Sequence, residues 1–335
     1  MPMILPMTKQ KLEILKLFQK HFGQGKIIAF DEFVHWALYS QNIGYYRRKN
    51  ERVGRSENSD FYTSTSMGSV WGEMILCACE TLLYPQKVTD FTFYEIAAEP
   101  DSSTLDGVVH KFKEVKTLRL GDRIEFSGPS IIYSNEWLDA QPFRRFKFDL
   151  SQNLWIEMGV SCTDQGIFEK KMKPANNSIA KMFKIPNSDG YTIDWPSGAN
   201  EALENIVLKK NWNGLFLTFD YGIDFSTMIT SRPEGTARGY WNHKLTNNIL
   251  ERIGEQDITC HLCWDSLKHI LEQNEFFNIS LERQESFFMK NASTFIQKII
   301  ANKGSGLNTK LQSIKELIHP QHLGSKFQAL YAMRS

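Results

Sequence analysis

Two stretches of this sequence begin as apolar runs of strand length and then change abruptly to polar residues and proline. They occupy residues 91–105 and 131–143. A continuous run of apolar, aromatic and β-branched residues is typical of a strand that is buried on both faces of a parallel sheet. In open α/β sheets, ligands bind just beyond the carboxyl ends of such strands. The polar ends of the two stretches are therefore the first candidate site.

The rest of the chain supports an α/β fold with helices on both faces of the sheet. A third buried run, residues 214–222, ends in Asp220 and Tyr221. Amphipathic patterns predict helices over residues 8–22, 67–83, 199–209, 265–273, 293–302 and 309–319. We predict an N-terminal helical and lid region over residues 1–85 and an α/β domain over 86–335. An insertion around 146–195 would begin with a hairpin and continue irregularly over 161–190.

Bulk properties narrow the possible partners and compartment. The 39 Lys and Arg against 38 Asp and Glu give a net charge of +1, which argues against a large basic surface, so we expect no nucleic-acid partner. The amino-terminal apolar run is too short for a secretory signal, and no run is long enough to span a membrane. Five cysteines, an odd number without framework spacing, suit a reducing cytoplasm.

A metal site is not expected from the cysteines. Cys77 and Cys79 lie in an apolar helical stretch, where residues two apart in sequence point to different faces. They would not converge with Cys260 and Cys263 on one tetrahedral site. We interpret these thiols as small buried side chains.

Several short blocks occur in an order that resembles a known family. They are Gly44-Tyr45-Tyr46, Asp60-Phe61-Tyr-Thr63-Ser64, Ser134-Asn135-Glu136-Trp-Leu-Asp139-Ala-Gln-Pro142, Asp220-Tyr221-Gly222, Gly235-Thr236-Ala-Arg238 and Asp257-Ile-Thr259-Cys-His261. Together they resemble the MidA-like branch of the class I S-adenosylmethionine-dependent methyltransferases. That branch includes the mitochondrial arginine methyltransferase that assists respiratory complex I assembly. The resemblance spans roughly residues 30–332, which makes a chance agreement of all the blocks improbable.

The resemblance implies a Rossmann-like methyltransferase sheet, the cofactor S-adenosylmethionine and a set of binding residues. Those expected at the cofactor are Glu95, Ala97, Glu99, Asp122, Asn135, Thr63 and Ser64. Those expected at the substrate are Tyr45, Tyr46, Phe61, Asp220 and Tyr221. The resemblance also implies a protein substrate or an assembly partner.

The sequence departs from the family pattern in two places. The family has a glycine-rich turn after its first strand, whereas this chain has Ala97, Glu99 and Asp101 at the corresponding positions. Each Cβ restricts the turn and narrows the gap for a ligand. In addition, only about thirty residues separate this turn from Asn135, which leaves little room for a second strand and its helix.

Four residues are candidates for catalysis. Glu136 and Asp139 are three apart, so they would share one face if their segment is helical. Two carboxylates could clamp a guanidinium acceptor, although helix capping would explain them equally simply. Asp257 and His261 fall on one face of an alternating stretch, where they would either line a pocket or serve the structure.

We therefore predict a cytoplasmic S-adenosylmethionine-dependent methyltransferase that acts on an arginine of a partner protein. An alternative is a catalytically inactive methyltransferase fold that serves as a binding or assembly module, as the missing glycines and shortened middle would suggest. A third possibility is methylation of a small molecule.

Overall fold

A computed structural model describes residues 9–48, 68–242, 244–301, 307–319, 324 and 326–335. Contacts divide the chain into two compact units. We call Met1–Asn50, Ala140–Ala199 and Asp224–His261 the β unit. Glu51–Asp139, Asn200–Ile223 and Leu262–Ser335 form the α/β unit. The predicted domain boundary after residue 85 stays a prediction. The same holds for the predicted insertion around residues 146–195.

The described residues form sixteen strands and ten α-helices. The strands are β1 Ile27–Ala29, β2 Thr92–Ile96, β3 Glu114–Leu118, β4 Gly128–Asn135, β5 Arg144–Asp149, β6 Leu154–Thr163, β7 Gly166–Pro174, β8 Thr192–Trp195, β9 Trp212–Asp220, β10 Gly222–Ile223, β11 Arg238–Trp241, β12 Lys244–Thr246, β13 Asp257–Thr259, β14 Leu262–Cys263, β15 Phe276–Arg283 and β16 Gln328–Arg334. The helices are α1 Lys9–Phe22, α2 Phe30–Tyr39, α3 Ser69–Leu83, α4 Asn177–Met182, α5 Ser197–Val207, α6 Phe225–Thr230, α7 Trp264–Glu272, α8 Gln284–Asn291, α9 Ser293–Ala301 and α10 Leu307–Ile318.

The α/β unit is built on a six-stranded sheet in the order β15-β16-β9-β4-β2-β3. Strands β3, β2, β4 and β9 run parallel, and β16 is antiparallel to both of its neighbours. Every residue of β2 is buried, as expected for a continuous apolar run covered on both faces. Buried residues of α3, α8, α9 and α10 form one hydrophobic core with β2, β4, β9 and β16. The predicted α/β fold is confirmed.

The chain changes direction in this sheet between β2 and β4. It leaves β2 for β3 on one side and then crosses to β4 on the other. Ile96 pairs with both Leu118 and Ser134, and Asn135 pairs with Phe219, so the strands end at one edge. Such a topological switch point is where open α/β sheets bind ligands.

The short middle was expected to leave little room for a second strand and its helix; this expectation is wrong for the strand and holds for the helix. Strand β3 is present and pairs with β2 over its full length. The helices are missing instead: residues 97–113 and 119–127, all of which the structure describes, contain none. The shortened sequence thus keeps the parallel pairing and replaces both helical crossovers with turns.

The β unit contains an antiparallel sheet in the order β1-β6-β5-β8, with β7 also paired to β6. The predicted hairpin is confirmed, since Phe148 of β5 lies opposite Trp155 of β6. The irregular conformation predicted for residues 161–190 is wrong in its first part, because β6 continues to Thr163 and β7 follows. A second sheet has the order β12-β11-β13. None of the helices in the described ranges is long and apolar enough to cross a membrane.

Candidate functional site

The turn after β2 keeps the backbone shape for which glycine is best suited. Ala97 has a φ of 60°, in the left-handed region, and its side chain is exposed. Glu99 and Asp101, at the other two expected glycine positions, do not have positive φ. An alanine in this conformation costs roughly 1–2 kcal/mol. Ala97 therefore keeps the left-handed turn at the cost of backbone strain. Glu99 and Asp101 replace glycines without such strain.

Glu95, in β2, ties the far side of this turn to the strand through hydrogen bonds with Thr104. It is buried, and both of its carboxylate oxygens accept hydrogen bonds from the backbone N–H of Thr104, at 2.9 and 3.0 Å. The Thr104 hydroxyl donates a further hydrogen bond of 2.6 Å. Burial raises the pKa of Glu95, although the hydrogen bonds from Thr104 partly oppose the rise. Glu95 was predicted to bind the cofactor, and its hydrogen bonds hold the turn; a direct cofactor contact stays a prediction.

Helix α3 packs against the same turn. Trp71 Nε1 donates a 2.9 Å hydrogen bond to the hydroxyl of buried Tyr133, which lies 3.5 Å from the Thr104 hydroxyl. A Cβ at Gly72 would lie 2.1 Å from the Thr104 carbonyl oxygen, so only glycine permits this close packing. Thr104 thus connects β2, β4 and α3. Sequence reasoning missed it, because nothing in its neighbourhood predicts that the turn folds back on Glu95.

Three carboxylates lie together beyond β4 and β9. Asp220 is completely buried, and its Oδ2 atom accepts backbone N–H bonds from Leu138 at 3.0 Å and Asp139 at 3.3 Å. Its Oδ1 atom accepts the N–H of Tyr221 at 2.9 Å. Burial raises the pKa of Asp220 well above its ordinary value, and the charges of Asp139 and Glu136 add to the rise. A cation placed here would relieve the mutual repulsion of these groups.

The condition under which Glu136 and Asp139 would share one helix face is not met. Residues 136–139 form bends and turns, and Glu136 has a φ of 49°. The Glu136 N–H is bonded to the Phe219 carbonyl at 2.9 Å, which ties the segment to β9. Asp139 is hydrogen-bonded to Asp220 and the charge of Glu136 acts on Asp220, so the two carboxylates are related through β9 and not through a shared helix face. Asp220 itself positions this loop; its predicted contact with a substrate stays a prediction.

Asn135 provides a buried acceptor at the same strand edge. Its Nδ2 atom donates a 3.0 Å hydrogen bond to Glu136, whereas its Oδ1 atom is buried without a hydrogen-bond partner among the described residues. A buried amide oxygen without a donor is costly unless a ligand or water supplies one. This atom is therefore available to a donor group of a bound molecule.

The remaining residues predicted at the cofactor or at the substrate are Asp122, Tyr221, Phe61, Thr63 and Ser64. Asp122 is exposed and accepts the backbone N–H of Arg119 at 2.7 Å, just after β3. Tyr221 packs its ring 5.7 Å from that of Phe327. Thr63, Ser64 and Phe61 lie outside the described residues. Within the described ranges no group of three His, Cys, Asp or Glu side chains is placed to hold a metal ion.

A second cluster belongs to the β unit. The Tyr46 hydroxyl donates a 2.9 Å hydrogen bond to Oδ1 of buried Asp257, and the Tyr46 ring stacks on Tyr39 at 5.4 Å. Tyr45 is buried and lies edge-on to Tyr46. These contacts give Asp257 and both tyrosines a structural role. Their predicted roles in catalysis and in substrate binding stay predictions.

His261 follows β13 and is kept neutral. Burial lowers its pKa to about 4, and the positive charges of Arg232 and Arg238 act in the same direction. A neutral imidazole can accept a proton, but one with so low a pKa is a weak base near pH 7. Its place in catalysis remains a prediction.

Sequence reasoning missed a buried ion pair in the β unit. The Arg145 guanidinium donates from Nε to Oδ1 of Asp194 at 2.7 Å, and neighbouring acids, Asp194 foremost, raise the pKa of this arginine despite its burial. Oδ2 of Asp194 accepts the backbone N–H groups of Thr236 and Ala237, each at 2.8 Å. The pair therefore fixes the Gly235–Arg238 block. Arg145 precedes Phe146 and Asp194 lies between Ile193 and Trp195, so each charge adjoins apolar residues of a strand, which was the available signal.

The fold defines an α/β protein whose parallel strands end at a topological switch point, the place where open α/β sheets bind ligands. Residues 98–280 match a family model described as "Putative S-adenosyl-L-methionine-dependent methyltransferase". The match covers more than half of the 335 residues, so the chain belongs to this family of S-adenosylmethionine-dependent methyltransferases. S-adenosylmethionine is its cofactor.

Two crystal structures of proteins from Burkholderia thailandensis share the fold. One is a COG1565 superfamily member bound to S-adenosyl-homocysteine; it is 17% identical, and the alignment covers 98% of this chain and 95% of that chain with a TM-score of 0.83. The other is a native structure of a COG1565 superfamily protein, 16% identical, with coverage of 98% and 95% and a TM-score of 0.78. A comparison with curated protein sequences gives no significant match.

The residues at the strand ends fit this cofactor in two respects. The turn at Ala97 retains its left-handed backbone with the methyl group pointing to open surface, and Asn135 offers an unused buried acceptor. We expect Ala97, Glu99 and Asn135 to hold the cofactor, with Glu95 fixing the turn behind them.

Proposed function

We propose that this chain is a MidA-like methyltransferase that transfers a methyl group from S-adenosylmethionine to an arginine of a partner protein. The observation that carries the proposal is the group of three carboxylates, Glu136, Asp139 and Asp220, beyond β4 and β9. Burial, followed by the negative charges of Asp139 and Glu136, raises the pKa of Asp220, and a positive charge beside these groups would oppose the rise. An arginine side chain would supply that charge in a planar form that pairs well with carboxylates.

The bound cofactor supplies an electrophilic methyl group on a positively charged sulfur. The chain must hold the acceptor nitrogen in line with it and accept the proton that the guanidinium releases on methylation. Half-buried Glu136 is the carboxylate of the three best placed to exchange a proton with solvent, because Asp139 and Asp220 are buried. We assign proton acceptance to Glu136, guanidinium orientation to Asp139, and positioning of their loop to Asp220.

The inactive alternative loses its main support. It depended on the missing glycines and on the shortened middle of the sequence. Ala97 nevertheless adopts the left-handed conformation, and β3 is paired with β2 despite the short connection. No observation in the described residues favours a binding module over an enzyme.

Incubation of the purified protein with methyl-labelled donor and a cell lysate tests the proposal. We expect label in a protein band, and methylarginine in its acid hydrolysate. Glu136→Gln and Asp139→Asn should lower the incorporation rate at least tenfold, while Asp265→Asn, a surface carboxylate on α7, should leave it unchanged. Label confined to small metabolites would contradict the protein acceptor. Failure to bind S-adenosylhomocysteine at millimolar concentration would contradict the enzyme assignment as a whole.

A further inference from the structure

A non-helical turn connects the parallel strands β2 and β3. A crossover between parallel strands usually includes an α-helix, which packs on the sheet and fixes the path of the chain. Residues 97–113 are all described and none is helical. The part of this turn nearest to β2, residues 97–101, is where we place the cofactor. Without a helix, other contacts must fix the conformation of residues 97–101.

Arg119, the first residue after β3, makes the contacts that do so. Its Nε atom donates hydrogen bonds to two carbonyl oxygens of the turn, those of Glu99 at 3.1 Å and Pro100 at 3.0 Å. Its Nη1 atom donates a 2.6 Å hydrogen bond to the hydroxyl of Thr117 in β3. The guanidinium is half-buried, and the strand beneath it fixes its orientation. One side chain therefore bridges β3 and the turn.

The backbone of Arg119 is itself fixed. Its N–H donates to Asp122 at 2.7 Å, and the Asp122 N–H donates back to the Arg119 carbonyl at 2.9 Å. The guanidinium also lies close enough to Glu95 that its charge opposes the rise in the pKa of that carboxyl. The turn carries two acids, Glu99 and Asp101, and the fixed guanidinium of Arg119 donates to its backbone.

We propose that Arg119 is a positioning residue for the cofactor: it holds the Glu99 and Pro100 carbonyls so that the turn after Ala97 keeps its binding shape. This inference rests on the proposed function for the identity of the ligand. The ties between the turn and its surroundings include the Ala98 N–H to the Leu118 carbonyl, Thr104 to Glu95, and the Arg119 bridge. The Arg119 bridge is the tie that joins the carbonyls of residues 99 and 100 to β3.

Calorimetric titration with S-adenosylhomocysteine and amide hydrogen exchange of the unliganded protein test the proposal together. Arg119→Met keeps the apolar stem and removes the guanidinium. We expect its dissociation constant to rise about tenfold, with faster exchange in peptides that cover residues 98–104, because charged hydrogen bonds are lost. Arg119→Lys should recover part of the affinity, since an ammonium can still donate to a carbonyl. Arg123→Met, whose parent side chain is 87% exposed, is the matched control and should bind as the wild type does.

The outcomes separate this inference from the proposed function. Failure of the wild-type protein to bind S-adenosylhomocysteine overturns the proposed function and this inference with it. Binding by folded Arg119→Met as tight as that of Arg123→Met overturns this inference alone. If Arg119→Met does not fold, Thr117→Val removes only the acceptor of Nη1. We then expect a rise of two- to fivefold in the dissociation constant, and an unchanged constant overturns the inference.

Discussion

Asp139 donates its backbone N–H to the Oδ2 atom of Asp220 at 3.3 Å, so the loop after β4 is tied to the last residue of β9. Because the buried strand fixes Asp220, the position of Asp139 follows from it. The same proximity makes the negative charge of Asp139 a cause of the raised pKa of Asp220, second to burial. A substitution at Asp220 should therefore change both the position of Asp139 and the electrostatics of the site.

The raised pKa of Asp220 predicts a pH dependence of stability. A carboxyl with a higher pKa in the folded state binds protons more tightly when folded, so stability falls as the pH rises above the ordinary value of 3.8. Between roughly pH 4.5 and pH 8 we expect the wild type to lose free energy of unfolding relative to Asp220→Asn. Urea unfolding of both proteins at the two pH values measures this.

Asp224 offers a control of opposite sign. It caps α6, and hydrogen bonds from Thr227 lower its pKa, so its contribution to stability is complete above its ordinary pKa. The difference between wild type and Asp224→Asn should therefore be constant over the same pH range. A constant difference for Asp220→Asn as well would contradict the raised pKa.

Ala97 should respond to side-chain branching far more than an ordinary alanine does. A β-branched residue is a true outlier at a φ of 60°, so Ala97→Val should lower the free energy of unfolding by at least about 2 kcal/mol. Ala97→Gly removes the strain but adds freedom to the unfolded chain, and we expect a change within about 1 kcal/mol. Ala301→Val, at the exposed end of α9, should cost only about 0.5 kcal/mol. Similar costs for the two valine variants would show that the turn is not strained.

Tyr46 and Asp257 should be energetically coupled. Tyr46→Phe removes the donor of the 2.9 Å hydrogen bond to a buried carboxylate and should cost about 1–3 kcal/mol. In a double-mutant cycle with Asp257→Ala, which removes the acceptor, the coupling energy should be at least about 1 kcal/mol. Tyr84→Phe, at a tyrosine that is 83% exposed, should be neutral. Additive effects in the cycle would mean that the hydrogen bond adds no stability.

The sequence was informative where apolar runs are continuous. Strands β2, β4 and β9 were predicted because strands buried on both faces have continuous apolar sequences. Their polar ends do meet at one edge. Strand β7 was missed because it lies at the edge of its sheet and carries Glu169, Lys170 and Lys171, which show no apolar period. The half-exposed strand β3 was hidden for the same reason.

The contacts that shape the candidate site were not predictable in the same way. Thr104 and Arg119 have no distinctive neighbours in sequence, and their roles arise only when the turn folds back on Glu95 and β3. Glu136 and Asp139 were identified as a pair, but for a helical geometry that the segment does not adopt. Residue type and order were readable from the sequence, whereas the partner of each side chain depended on tertiary structure.

His261 provides the last prediction, with a sign opposite to that of Asp220. A histidine whose folded pKa is about 4, below its ordinary 6.5, binds protons less tightly when folded, so stability falls as the pH decreases through that window. The difference corresponds to about 3 kcal/mol between pH 7 and pH 4. His261→Gln should remove this loss, whereas His35→Gln, at an exposed position on α2 of the same unit, should not. Urea unfolding across this pH range measures both, and parallel pH profiles for wild type and His261→Gln would mean that the imidazole is not held neutral by burial and by Arg232 and Arg238.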